Sequence, residues 1–335
     1  MILGIDVSKA TFDVNLRQSK TNQTYRRFGN TTAGIEALVQ WLKRAEVSDL
    51  HVCMEATNVY WEAVAERLYA EGYRVSVVNP TRIHGFAKSQ LLRNKTDKQD
   101  SKVIAAYCAV LDPKPWQPPS ETQRKLRALD RHRQRLRKTL TQQKNRQSTS
   151  RDQDVTDSLQ KVIDLLQEEM GRINEQIKAL THQHEELRLQ QALLTSITGI
   201  GPKTAQGLMA EMYDLRTYES ARAAAADAGL TPAHFESGTG EPSGSRRRPK
   251  LSKIGKASIR SRLFMPAMNA MRTNPILLDL ANRLKRRNKP PMVILGAVMR
   301  KLLHIAYGVL KHQTPFDPTY EMSRSTTYEM SRSTT

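Results

Sequence analysis

Alternation of apolar and polar residues marks the first thirty positions, and helical spacing takes over after them. Ile2–Val7, Thr11–Leu16 and Thr24–Phe28 are rich in β-branched and aromatic residues and read as three short strands. Asn30-Thr31-Thr32 offers a helix cap, and Ile35, Leu38, Val39 and Leu42 recur at helical spacing through Lys43. His51–Glu55 reads as a strand, Trp61–Ala70 as a helix, and Arg74–Asn79 as a strand ended by Pro80; a helix near Lys98–Val110 follows. Pro113, Pro115, Pro118 and Pro119 around Trp116 form a boundary that no helix crosses. Beyond it, Gln123–Gln147 lacks Pro and Gly and reads as one long helix. Leu159, Ile163, Leu166, Met170, Ile173, Ile177, Leu180, His184 and Leu187 then recur at alternating spacings of four and three, an a/d seam. It predicts a coiled coil or helical hairpin, between subunits or between helices of one chain, with His184 a tolerated residue at the core edge.

Three meandering strands followed by alternating helices and parallel strands is the order of an α/β RNase H-like domain. The expected organisation is residues 1–118 as this domain, 119–192 as basic helix and coiled coil, and 193–319 as a mostly α-helical C-terminal domain. Residues 320–335 are a perfect tandem repeat of Tyr-Glu-Met-Ser-Arg-Ser-Thr-Thr without apolar periodicity, and are expected to be a disordered tail.

Composition narrows the class. The 335 residues carry 53 Lys+Arg against 33 Asp+Glu, a formal net charge of +20, which favours a polyanionic partner. The surplus is uneven: net +3 over residues 1–112, +5 over 113–192 and +12 over 193–335. Within the middle segment, residues 121–151 hold 11 basic and two acidic side chains, while 152–192 hold four and nine. This asymmetry suggests a near-neutral chemical module joined to modules that grip nucleic acid. The mean hydropathy of -0.58, with Met292–Met299 as the longest apolar run, argues against a membrane span. Without a visible signal peptide, and with Cys53 and Cys108 inside apolar runs, a cytoplasmic protein with reduced thiols is expected.

Four acids stand out by position. Asp6 ends the first strand, Glu55 ends a later one, and Asp97 and Asp100 open a helix at a spacing that places both carboxylates on one face. In an RNase H-like sheet the first strand lies beside the one carrying Glu55, so all four can converge. Hard oxygen donors of this kind hold Mg²⁺ for in-line phosphoryl transfer. Taken singly, an Asp at a strand end is common, and Asp97 or Thr96 could each be a helix N-cap. No Cys/His spacing suggests zinc.

In the C-terminal part, Thr198-Gly199-Ile200-Gly201-Pro202-Lys203 resembles the turn of a helix-hairpin-helix, whose backbone N–H groups can hold a DNA phosphate. Ala223–Gly229 reads as a small-residue helix closed by glycine. Eight basic residues lie between Arg246 and Arg262 without an acid, a pattern suited to phosphates. Ser237 lies near His234, but no Gly-x-Ser-x-Gly elbow surrounds it, which argues against hydrolase chemistry.

Together these residues are similar to a known family, the DEDD transposases of insertion sequences that carry a further catalytic serine, called bridge recombinases because a bispecific non-coding RNA guides them. The resemblance runs from Met1 to about Asp317. It rests on Gly4-Ile5-Asp6 with Ser8-Lys9, Glu55-Ala56-Thr57, Arg93-Asn94-Lys95-Thr96-Asp97 with Asp100, Gly199-Ile200-Gly201, Gly229-Leu230-Thr231-Pro232, Glu236-Ser237-Gly238, and Val293-Ile294-Leu295-Gly296-Ala297 before Met299-Arg300-Lys301. The tandem tail has no counterpart in the family pattern, and the Gly240–Pro249 loop is longer than typical.

The resemblance implies a RuvC-like domain whose tetrad Asp6, Glu55, Asp97 and Asp100 is catalytic and binds Mg²⁺. It implies Ser237 as the nucleophile that forms a 5′-phosphoserine with DNA, and a C-terminal transposase domain joined through the coiled coil. Homotetramers built from dimers would assemble on a guide RNA with target and donor double-stranded DNA, with Ser237 of one protomer facing the tetrad of another. Arg93, Lys95, Arg124, Arg127, Arg131, Arg135, Lys203, Arg246, Arg247, Arg248, Lys250, Lys253 and Lys256 are the expected nucleic-acid contacts. The resulting expectation is a bacterial RNA-guided DNA recombinase, cytoplasmic and associated with the nucleoid when acting. The alternatives are an RNA-independent site-specific invertase, a RuvC-like structure-specific endonuclease using metal-activated water, and a non-enzymatic scaffold.

Overall fold

A computed structural model describes residues 1–45, 49–90, 96–233, 250–252 and 254–319, with backbone alone at Ala233 and Lys250. The chain forms two compact units, Met1–Pro118 and Pro119–Thr335.

The first unit is built on a mixed five-stranded sheet of order β3-β2-β1-β4-β5. β1 (Ile2–Val7), β2 (Thr11–Arg17) and β3 (Gln23–Gly29) form an antiparallel meander. α1 (Thr32–Arg44), capped by Thr31, leads to β4 (His51–Glu55), which pairs parallel with β1. α2 (Glu62–Ala70) returns the chain to β5 (Arg74–Val78), parallel to β4. This topology is consistent with an RNase H-like domain. Leu3, Ile5, Phe12, Val14, Val52 and Met54 are buried against Leu38, Leu42, Val64 and Leu68 of the two helices, which is where apolar alternation along the strands meets helical periodicity.

Reading Pro80 as a strand stop misses a helix. α3 (Pro80–Ser89) begins there, with Asn79 accepting from the Thr81 amide. Proline fits the first helical turn, where its missing N–H has no partner to lose, so the residue that ends β5 also opens α3. α4 (Asp97–Leu111) then packs on the sheet over β2, β1 and β4. Cys53 and Cys108 are free and buried between α4 and β4.

In the second unit α5 (Glu121–Thr149) starts from a complete capping box, Ser120 with Gln123, and α6 (Gln153–Gln183) packs back along it. The pairing is a hairpin within the chain, closed by a three-residue connection, with Ile163, Ile173, Ile177 and Leu180 buried. The heptad seam does not run through to Leu187 on one helix. It breaks at His184, exposed between α6 and α7 (Glu185–Thr195), and Leu187 joins the core of the unit from the second helix.

α8 (Pro202–Met212) follows a tight turn in which Gly199 has φ of +107°. A Cβ there would lie 2.6 Å from that of Ala270, so both backbone conformation and packing require glycine. A short 3₁₀ turn at Leu215–Thr217 precedes α9 (Ala221–Asp227), closed by Gly229 at φ of +65°. β6 (Pro232–Ala233) and β7 (Lys250–Leu251) pair antiparallel. α10 (Ala257–Thr273), α11 (Pro275–Arg286) and α12 (Pro291–His312) complete the bundle.

α12 departs from the expectation about membrane spans, since it is long and apolar enough to cross one by length and composition. Its apolar surface is instead spent within the unit: Ile294, Val298, Leu302, Ala306 and Val309 are buried against α7, α9, α10 and α11.

Candidate active site

The carboxylate site of the first unit is set by a missing side chain. Gly4 and Asp6 share one face of β1, and α4 lies so close to Gly4 that a Cβ would stand 2.3 Å from the Ser101 carbonyl oxygen. That close approach lays the first turn of α4 beside the end of β1. Thr96 is the N-cap, accepting from the Gln99 amide at 3.2 Å, so Asp97 is released from capping and both Asp97 and Asp100 sit in the first helical turn. On the other side, Ile5 pairs with Met54, so one residue further along both strands Asp6 and Glu55 are neighbours. Thr57 donates to Glu55 Oε1 at 3.0 Å and orients it.

These acids feel one another. Burial pushes the Asp6 carboxyl up to about 6 from 3.8, and the charges of Asp100, Glu55, Asp97 and Asp13 push in the same direction. Asp6 thus lies within the electrostatic reach of the other three acids, and among the described residues no three potential ligands are drawn to a common metal-binding point. As a donor set the four carboxylates fit a hard divalent cation, for which each supplies oxygen and negative charge.

A fifth acid and its partner are absent from the sequence reading. Asp13 stands opposite Asp6 in the β1–β2 register and is buried. It accepts from the Tyr25 hydroxyl and from Arg27 Nε at 2.9 Å, both on β3. Arg27 reaches on with Nη2 to Asp97 Oδ2 at 2.8 Å, so one guanidinium bridges the buried acid to the tetrad. The signal lay in the hairpin. With a three-residue turn at Ser8–Ala10, antiparallel pairing forces Asp13 beside Asp6, and the polar face of β2 continues with Asn15 and Arg17.

The C-terminal elements are distributed differently. Ser237, His234, Arg246, Arg247, Arg248 and Lys253 lie outside the described residues, as do Arg93 and Lys95; of Lys250 only the backbone is described. The segment bearing Ser237 is carried between β6 and β7, where Pro232 pairs with Leu251. Beyond β7, Lys256 ion-pairs with Asp227 at 2.9 Å, and the Tyr218 hydroxyl donates to the same carboxylate. Lys256 is therefore partly committed to the fold.

So are two of the α5 arginines. Arg127 lies over the Tyr213 ring, 5.2 Å from its centroid, and donates to its hydroxyl. Arg131 holds Glu211 through two bonds of 3.0 and 3.1 Å. Burial raises the Glu211 carboxyl, but the Arg131 bonds and the charges of Arg131, Arg262 and Arg127 outweigh it and hold the group below its ordinary range. Arg124, Arg135 and Lys203 are exposed.

Comparison with known proteins bears on this arrangement. A family model described as transposase matches residues 3–150, and a second, described as the transposase IS116/IS110/IS902 family, matches residues 191–281. The pilin gene-inverting proteins of Moraxella lacunata and Moraxella bovis are each 34% identical over 318 residues, which cover 94% of this chain and 97% of theirs.

Proposed function

The chain belongs to the IS116/IS110/IS902 transposase family and is a DNA recombinase, and from that premise we propose that it cleaves and rejoins target and donor DNA through a covalent serine intermediate under RNA guidance. The observation that supports the reading is the close approach of α4 to Gly4, which sets the helical turn with Asp97 and Asp100 beside the end of β1, where Asp6 has Glu55 on the neighbouring strand. A carboxyl such as that of Asp6, raised by burial and by neighbouring negative charge, suits a cationic partner. Asp6, Glu55, Asp97 and Asp100 would hold Mg²⁺, which when bound supplies stabilisation of the charge developing on the scissile phosphate.

The other roles fall to the chain itself. Ser237 Oγ attacks phosphorus; the Oγ–P bond forms as the P–O3′ bond breaks, the 5′-phosphate stays on serine, and the hydroxyl proton passes to the departing 3′ oxygen. Attack by the 3′-hydroxyl of another strand reverses the step, so phosphodiester energy is conserved through strand exchange. Thr57 orients Glu55, and Arg27 holds Asp97. Ser237 of one protomer working with the tetrad of a second would require an oligomer, for which we propose a tetramer. Arg124, Arg135, Lys203 and the cations around 246–256 would contact nucleic-acid backbones, leaving sequence choice to pairing with the guide.

A second reading, RNA-independent site-specific inversion, is favoured by the names of the two Moraxella relatives. One trapping experiment separates the readings. The full chain is incubated with Mg²⁺, guide RNA and suicide DNA substrates, and a covalent protein–DNA adduct is expected. An adduct still formed by Ser237→Ala overturns the nucleophile, and normal cleavage by Asp6→Ala/Asp97→Ala overturns the metal centre. Undiminished recombination without RNA establishes the inversion reading instead.

A further inference from the structure

From Pro242 to Phe316 the chain carries 17 Lys and Arg and a single acid, Asp279. Five of these cations, Arg283, Lys285, Arg286, Arg287 and Lys289, fall within seven residues where α11 turns into α12. The matched transposase model ends at residue 281, just before them. Arg283 pairs with Asp279 at 2.9 Å; the other four form no ion pair among the described residues, and all five are exposed.

Part of this charge has a structural use. Arg283, Lys285 and Arg286 occupy the last turn of α11, where cations complement the carbonyl end of a helix. Arg287 and Lys289 lie beyond that turn. Asn288 takes a left-handed conformation, φ of +51°, and the Lys289 amide donates back to the Leu284 carbonyl at 3.1 Å. This is a closed helix stop, so the turn presents its cations from a defined backbone.

Beneath the turn lies a half-open cavity of about 450 Å³. Met271 of α10, Pro290, Pro291 and Ile294 supply its apolar lining, and Lys285, Asn288 and Lys289 its polar lining. The volume is in the range of small-ligand pockets. A free inorganic anion would leave the apolar wall unused, and an apolar ligand would leave the cations unused. A nucleotide answers both, with a flat base face for the wall and phosphates for the ammonium and guanidinium groups.

We propose that this cavity receives one unstacked nucleotide of the DNA substrate, with Lys285, Lys289 and Arg287 on the flanking phosphates. The inference rests on the chain acting on DNA, and does not depend on Ser237 or on guidance by RNA. A strand being exchanged must expose unpaired nucleotides, and extrusion costs least where a base is already unpaired.

The test uses the full chain and a duplex carrying 2-aminopurine as a single-base bulge, beside the fully paired duplex. The protein is expected to bind the bulged DNA about tenfold more tightly, the scale of one base stacked on protein, with a change in 2-aminopurine emission. Lys285→Gln/Lys289→Gln, two exposed positions that leave the core intact, should bring the ratio of the two affinities close to one. Met271→Trp, which fills the cavity without changing charge, should do the same. Equal binding of bulged and paired DNA by the wild type, or an unchanged ratio in the lysine variant, overturns the proposal. So does a preference for the same bulge in RNA over DNA. The Ser237 adduct assay is unaffected by any of these outcomes, so failure here is distinguishable from failure of the recombinase mechanism.

Discussion

Arg27 donates to Asp97 at 2.8 Å while its Nε holds Asp13 at 2.9 Å, and the two ends of this bridge are not equivalent. Asp13 is 4% exposed and Asp97 63%. Only the Asp13 carboxylate is shielded from water; the Asp97 end is a surface ion pair of small net worth, so Asp97 is easily released. Arg27 thereby competes with any cation at the tetrad. Arg27→Gln is expected to tighten Mn²⁺ binding about fivefold, the equivalent of that surface pair. It should also lower folding stability, by less than loss of both partners would, because Tyr25 still donates to Asp13. Mn²⁺ titration by electron paramagnetic resonance measures the first effect; unchanged affinity contradicts the competition.

Asp6 predicts a pH dependence of stability. In the fold its carboxyl titrates at about 6, and in the unfolded chain near 3.8. Between those values the native state keeps a proton that the unfolded state has released, so this group's contribution falls as pH rises through the window. The difference corresponds to at most ~3 kcal/mol, and solvent screening at a partly exposed carboxylate reduces it to ~1–2 kcal/mol. Asp6→Asn should therefore stabilise the protein at pH 7.5 in chelator and not at pH 4, while abolishing DNA cleavage. Urea unfolding at the two pH values checks this, and equal effects at both would refute it.

These two residues illustrate what was legible in the sequence. Asp6, Glu55, Asp97 and Asp100 are marked by position, because strand ends and helix starts can be read from local periodicity. Asp13 and Arg27 come to the carboxylates only through cross-strand register, which single-strand patterns do not display. The α5 arginines show the same limit. Counting charge along 121–151 finds a basic helix, but Arg127 and Arg131 turn toward Tyr213 and Glu211, more than 70 residues away in sequence. Pro80 misled for a local reason, since the same residue stops a strand and starts a helix.

Gly4 gives the clearest steric prediction. With Ser101 O at 2.3 Å and Ala105 N at 2.4 Å from its missing Cβ, Gly4→Ala must push α4 off β1. A loss of about 3 kcal/mol is expected from such overpacking, together with at least a tenfold loss of metal-dependent cleavage as Asp97 and Asp100 move. Gly171 is the control: nothing lies within 4 Å of its Cβ position inside α6, so Gly171→Ala should stabilise by ~1 kcal/mol. Urea unfolding and cleavage of the same two variants provide the comparison, and full activity in Gly4→Ala would show that α4 does not set the site.

A buried charge network fastens α5 to the other helices of the second unit. Asp130, fully buried, accepts from Arg133 Nη2 at 2.5 Å and from Arg262 Nη1 at 3.2 Å, with Arg262 Nη2 on its other oxygen. Arg133 continues to Gln206 at 3.0 Å, so one carboxylate joins α5, α8 and α10. Replacing it leaves two buried guanidinium groups without their shared counterion, whereas removing Arg262 leaves Asp130 still paired with Arg133. Asp130→Asn is therefore expected to cost about 4 kcal/mol and Arg262→Gln about half as much. Because both changes break one network, the double variant should be less destabilised than the sum, with a coupling of about 2 kcal/mol. A double-mutant cycle by urea unfolding measures this coupling. Additive losses would mean that Arg262 and Asp130 act separately, and would leave the other contacts of α5, among them Arg131 with Glu211, to hold it in place.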